Sequence, residues 1–211
     1  MANNIDSDLE KLCEYALELG ASRVKFFDAD TVVVDERVRL KCRVPLCDDC
    51  GVHLLCPPSP NVPSVDEMRE LLAKYRYAML IQLDYPISEE LEELIRSKDN
   101  VSAIYKSQTF VNEYKPLLDR NRNLMHEIIN KVEAKAFSMG FYFATGFSSG
   151  SCKLCDQCVT QLSGEACRHP FKARPSMEAV GVDTFKTAKN IGFELSPVKD
   201  VIRLTGLVLV D

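Results

Sequence analysis

Nine cysteines in 211 residues, eight of them in two short runs, constrain this chain more than any other feature. The first run is Cys42, Cys47, Cys50 and Cys56, and the second is Cys152, Cys155, Cys158 and Cys167. Cys13 stands alone. The opening residues Met1-Ala2-Asn3-Asn4-Ile5-Asp6 show neither the basic region nor the apolar stretch of a secretory leader, so a cytoplasmic location is expected. In that reducing compartment, clustered cysteines point to metal ligation or thiol chemistry rather than to disulfides.

Composition narrows the classes further. With 46% hydrophobic and 27% charged residues the chain can bury a core and fits neither a disordered nor a collagenous polymer. A net charge of -5 offers no field for gripping a phosphate backbone, so nucleic acid is not an expected partner. Apolar runs such as Ala78-Met79-Leu80-Ile81 and Leu207-Val208-Leu209-Val210 fall far short of the ~20 residues a membrane helix needs. The length favours one metal-binding domain over residues 1–211, with cysteine-rich loops at 42–63 and 150–175.

Periodicity supplies the scaffold. Leu9, Leu12, Cys13, Ala16 and Leu17 share one helical face that Gly20 ends. Val24 to Phe27 and Val32 to Val34 suggest a hairpin. From Arg37 to Val44 polar and apolar residues alternate, which predicts a strand carrying Cys42 inward. Ser64-Val65-Asp66-Glu67 is a capping box ahead of a helix bearing Met68, Leu71, Leu72 and Tyr75. A buried strand at Tyr77 to Leu83 and a short helix at Ser88 to Ile95, with Leu91, Leu94 and Ile95 inward, follow. Asp99 to Val111 yields no assignment. A long helix is expected from Asn112 to Met139, with Pro116 in its first turn and Gly140 as its stop. Strands at Phe141 to Phe147 and Val201 to Val210 complete the set, with helix starts at Pro175-Ser176 and Asp183 and with Phe185, Ala188 and Ile191 inward. The predicted class is α/β or α+β: a mixed sheet of about four to five strands flanked by helices, with two cysteine-rich metal-binding loops.

The second run reads C-x2-C-x2-C-x8-C, with Pro170 three residues after its last cysteine. Thiolates three residues apart in a curling loop can each reach a different iron of a 4Fe-4S cluster, while zinc prefers paired knuckles. The first run, C-x4-C-x2-C-x5-C-P-P, begins with 2Fe-2S spacing but ends on a nearby Cys-Pro, which favours a second 4Fe-4S cluster. A 2Fe-2S centre, or zinc held by Cys42, Cys47, Cys50 and Cys56, is the alternative there. Spacing also permits the last cysteine of one run to serve the other cluster.

Cations flank both runs: Arg37, Arg39, Lys41 and Arg43 at the first, Lys153, Arg168, His169, Lys172 and Arg174 at the second. They would offset the negative charge of thiolate-bound clusters, although the first four also read as the solvated face of a strand. Arg43, His53, Arg168 and His169 are the candidate contacts to a bound cofactor; either histidine could ligate an iron or donate to a cluster sulfur, with a supporting or plain loop role expected first. Cys13 is expected to pack as a small hydrophobe, and His126, among polar neighbours, to be exposed and inert. No glycine-rich phosphate loop, Ser-His-Asp set or C-x3-C-x2-C radical motif is present.

Several segments together resemble a family of cysteine-rich, DUF-type predicted metal-binding proteins of unknown function, typical of anaerobic archaea and bacteria. They are Arg39-Leu40-Lys41-Cys42, Cys47 through Gly51, Cys56-Pro57-Pro58, Gly150 to Cys158, and Cys167-Arg168-His169-Pro170 continuing to Asp183. The resemblance spans nearly the whole chain and implies metal binding and anaerobic physiology, with no substrate. Where that family often has an aromatic residue before the glycine of the first set, this chain has Cys50, which leaves open whether Cys50 or another cysteine completes the site. The function expected first is an iron-sulfur protein with two 4Fe-4S clusters, passing electrons between a donor such as ferredoxin and a client reductase. The alternatives are an enzyme whose open iron acts as a Lewis acid on a small sulfur-containing or oxyanionic substrate, and a structural zinc protein.

Overall fold

A computed structural model describes residues 5–97, 107–193, 195 and 201–211. Most of the unassigned stretch from Asp99 to Val111, and the side chain of Ile95, lie outside the described residues. Four strands form one sheet in the order β1 (Arg23–Asp28), β2 (Tyr77–Pro86), β4 (Val201–Val210), β3 (Thr145–Phe147). All three pairings are antiparallel. The molecule is thus the α+β member of the expected pair of classes, and its sheet is not mixed in direction.

The central strands are covered on both faces, which is why their sequences read as continuous apolar runs. On β2, Met79, Ile81 and Leu83 point to one cluster while Ala78 and Leu80 point to the other; on β4, Val208 and Val210 oppose Leu207 and Leu209. The first face packs on α1 (Ile5–Glu18) and α5 (Lys115–Ser138), through Leu9, Leu12, Met125, Ile129 and Val132. Cys13 packs against this cluster as expected, and burial pushes its thiol up to about 11. The second face packs on α3 (Val65–Leu72) and α6 (Thr184–Asn190). Ser64 and Glu67 form the anticipated reciprocal cap of α3, and Asp183 caps α6 by accepting from the Lys186 N–H. A short helix, α4 (Glu89–Ser97), follows β2 with Leu91 buried.

Several local expectations are corrected. Arg37 to Val44 is not a strand: Glu36–Leu40 is a short helix, α2, started by Asp35, whose carboxylate accepts from the Arg37 N–H at 2.9 Å. Acidic residues at its start and Arg39 near its end suit the helix dipole, and the segment joins no neighbouring strand. Its alternation therefore leaves Leu40 and Val44 exposed instead of inward. The hairpin at Val24 to Val34 is replaced by β1 and a 3-10 turn over Ala29–Thr31, and β1 pairs with β2 instead. Phe141 to Phe147 shrinks to the three residues of β3, and Phe185 is 70% exposed because α6 turns it away from Ala188.

Candidate metal centres

The first cysteine loop leaves α2 through a series of nested turns. Cys47 N–H donates to the Cys42 carbonyl at 3.0 Å, Cys50 to Cys47 at 3.1 Å, Gly51 to Pro57 at 2.8 Å and Cys56 to His53 at 3.0 Å. Gly51 sits at φ +73°, a conformation its missing Cβ permits. These turns bring Cys42, Cys47 and Cys50 near enough to Cys56 to act on its charge. Burial pushes the Cys56 thiol up to about 12, and the neighbouring Asp49, Cys47, Cys42 and Cys50 push the same way. Cys42 is raised by burial first, then by Cys50 and Cys47. Left as thiols, such groups are poor nucleophiles; a cation in their midst is what makes thiolates favourable there. Cys42 and Cys50 also line an open cleft with Glu36, Arg39, Leu40 and Arg43.

The second loop leaves β3 and curls so that Cys152, Cys155, Cys158 and Cys167 line a single cavity. His169 lines it too, and His53, Leu54 and Leu55 of the first loop supply another wall. Burial pushes the Cys152 thiol up to about 11; the Leu154 N–H lowers it, and Cys167, Cys158 and Cys155 raise it. The His169 N–H donates to the Cys167 Sγ at 3.4 Å, a bond that stabilises a thiolate. Among the described residues, no group of three or more His, Cys, Asp or Glu is gathered as it would be around one metal ion.

The other candidates divide by position. Arg43 lies at the cleft of the first loop, far in sequence from the second. Arg168 donates to the Gln157 carbonyl at 2.9 Å and meets Glu165 at 3.8 Å, so it ties the second loop together across its long x8 gap. His53 is buried between the loops, where its Nε2 lies 3.0 Å from the Cys152 carbonyl.

The sequence reading missed a polar stripe on α5. His126 is fully buried, correcting its expected exposure. Its Nδ1 lies 3.0 Å from Ser148 Oγ, and its Nε2 lies 3.3 Å from the Arg174 carbonyl. One helical turn on, the Asn130 carboxamide donates to the Lys172 carbonyl at 2.8 Å. Glu133 accepts two short bonds from the Arg174 guanidinium, at 2.6 and 3.0 Å, and also accepts from the Gly146 N–H. His126, Asn130 and Glu133 stand at i, i+4 and i+7, so one face of one helix holds both ends of the second cysteine loop. That spacing was the available signal.

No curated protein and no solved structure matches the chain. No described helix is long and apolar enough to cross a membrane. The model of a family described as a predicted metal-binding protein (DUF2284) matches residues 25–210, which hold all eight clustered cysteines and exclude Cys13, and the chain belongs to that family.

Proposed function

We propose that this protein is a cytoplasmic iron-sulfur protein of anaerobic metabolism that holds two 4Fe-4S clusters, one per cysteine tetrad, and carries electrons between a donor such as ferredoxin and a client reductase. The observation that carries the reading is that Cys152, Cys155, Cys158 and Cys167 line one cavity. The three-residue spacing of the first three of them suits several irons better than one zinc. A tetrahedral zinc with bonds of about 2.3 Å would draw its sulfurs to about 3.8 Å from one another, whereas a cluster of several irons is met by thiolates set further apart. Bound there, such a cluster supplies one-electron chemistry. Cys152, Cys155, Cys158 and Cys167 would hold it, and Leu54, Leu55 and Ala173 would shield it from water.

The outer face of the first loop suits a protein partner. Leu40, Val44 and Leu46 are exposed between Arg39, Lys41 and Arg43, and the turn closed by Val44 N–H on the Leu40 carbonyl keeps them together. An exposed apolar centre among cations is the complement of an acidic electron-transfer protein.

A second reading, an enzyme with an open iron at the first tetrad, is favoured by the cleft. Arg39 and Arg43 lie beside Cys42 and Cys50 and make no ion pair among the described residues, so they are available to an oxyanionic substrate.

Anaerobic purification with iron, zinc and acid-labile sulfide analysis tests the proposal. About eight iron and eight sulfide per chain are expected. Cys155→Ser is expected to lose metal and Cys13→Ser to keep it. Zinc without sulfide would overturn the iron reading, and an iron that takes up a small anion in place of a cysteine would move the assignment to the enzyme.

A further inference from the structure

The two cysteine loops meet along one seam, and His53 is its centre. The ring is 6% exposed, its Nδ1 accepts from the Leu55 N–H at 3.4 Å, and the proton left on Nε2 is donated to the Cys152 carbonyl at 3.0 Å. The carbonyl of the same residue accepts from the Cys56 N–H at 3.0 Å. One residue therefore touches the backbone of a cysteine in each tetrad. The Gln161 carboxamide, from the second loop, donates to the carbonyls of His53 and Cys56, both at 2.8 Å, while its backbone N–H reaches the Val52 carbonyl at 3.0 Å. His53 and Thr160 also pair as an isolated antiparallel bridge. With both ring nitrogens engaged, His53 has no lone pair to offer a metal.

We propose that the first loop is a structural part of the second metal site: His53 and Gln161 are positioning residues, and the second tetrad retains its metal only when the first loop is folded around its own. The inference rests on the reading that both tetrads bind metal. Its physical basis is that residues 53–55 form a wall of the second cavity. If the first loop opens, that wall leaves, the Cys152 carbonyl loses its donor, and water reaches the thiolates.

The test is metal stoichiometry in the anaerobically purified full chain. In the double variant Cys47→Ser/Cys50→Ser, coupling predicts that iron and sulfide fall well below half of the wild-type content; retention of half would show independent sites and overturn the inference. His53→Leu and His53→Gln then separate positioning from packing, because a glutamine amide can replace Nε2–H as donor to the Cys152 carbonyl. His53→Gln is expected to keep the full content and His53→Leu to lose metal from the second tetrad, with unchanged far-ultraviolet circular dichroism for both. Full metal content in His53→Leu would overturn the inference. A wild-type chain with zinc in both tetrads would refute the iron reading while the same stoichiometries still decide the coupling, and a wild-type chain with no metal would refute both.

Discussion

His126 shows how a single residue is misread from its sequence neighbours and read correctly from its helical ones. Asn121, Arg122, Asn123 and Glu127 surround it in the chain, yet Met125 and Ile129 on the same helix are fully buried, and the ring lies at the edge of their stripe. Nδ1 lies 3.0 Å from both Ser148 Oγ and the Arg122 carbonyl and Nε2 lies 3.3 Å from the Arg174 carbonyl, so in either neutral tautomer the ring N–H donates to a carbonyl. Burial lowers its pKa below the ordinary 6.5; the Arg122 and Arg174 carbonyls act against that shift, while the Arg174 guanidinium, itself paired with Glu133, and His53 reinforce it. The unfolded chain therefore binds a proton near pH 6.5 that the folded chain refuses. Between the two pKa values the unfolded state holds more protons, so stability falls as pH drops below 6.5, with a limiting slope of about 1.4 kcal/mol per pH unit from this group. His126→Gln, which keeps a donor toward Arg174 but does not titrate, is expected to flatten the thermal-unfolding profile between pH 6.5 and 5. An unchanged profile would show that the ring protonates freely in the fold.

At the scale of elements, α5 does two jobs, and its approach to the sheet is set by glycine. A Cβ built on Gly146 of β3 would lie 2.1 Å from Ile129 Cγ2, and one on Gly206 of β4 would lie 2.8 Å from Met125 Sδ. The helix thus rests directly on the backbone of two strands, which brings its polar stripe to the roots of the second cysteine loop. Gly146→Ala is expected to cost about 2 kcal/mol by overpacking, read as a melting temperature about 4–8 °C lower, with metal lost from the second tetrad before the first. A melting temperature within a degree of the wild type would mean that Ile129 shifts aside without cost. Most of this scaffold was legible in the sequence: the period of α5, the cap of α3, the strands at Tyr77 and Val201, and the grouping of the cysteines follow from local chemistry. What was not legible is tertiary. The alternation over Arg37 to Val44 reads locally as a strand, and among the described residues no strand lies beside it to pair with. The seam between His53 and Gln161 joins residues 108 positions apart in the sequence, and no local pattern announces it.

At the scale of the molecule, the apolar clusters are separate from the clustered cysteines, although Val62 and Leu55 of the first loop pack with the second cluster. The buried members of both clusters come from the sheet, the helices and their connections, and none of the eight clustered cysteines belongs to either. The loops over 42–63 and 150–175 are held by turns, by the seam and by the α5 stripe, so metal bound there would contribute folding energy to the loops far more than to the sheet. Removing metal with a chelator under oxidising conditions should therefore leave far-ultraviolet circular dichroism nearly unchanged while opening both loops. Trypsin is the direct probe, because Lys41, Arg43, Lys153, Arg168 and Lys172 all lie in or beside them. The metal-loaded chain should resist cleavage at these positions, and the stripped chain should be cut at both loops at similar rates, since the seam makes them open together. Cleavage confined to one loop would contradict the coupling, and equal cleavage of loaded and stripped protein would show that metal does not order the loops. Collapse of the whole dichroism signal on stripping would mean instead that the sheet depends on the metal, contrary to the separation of its core from the cysteines.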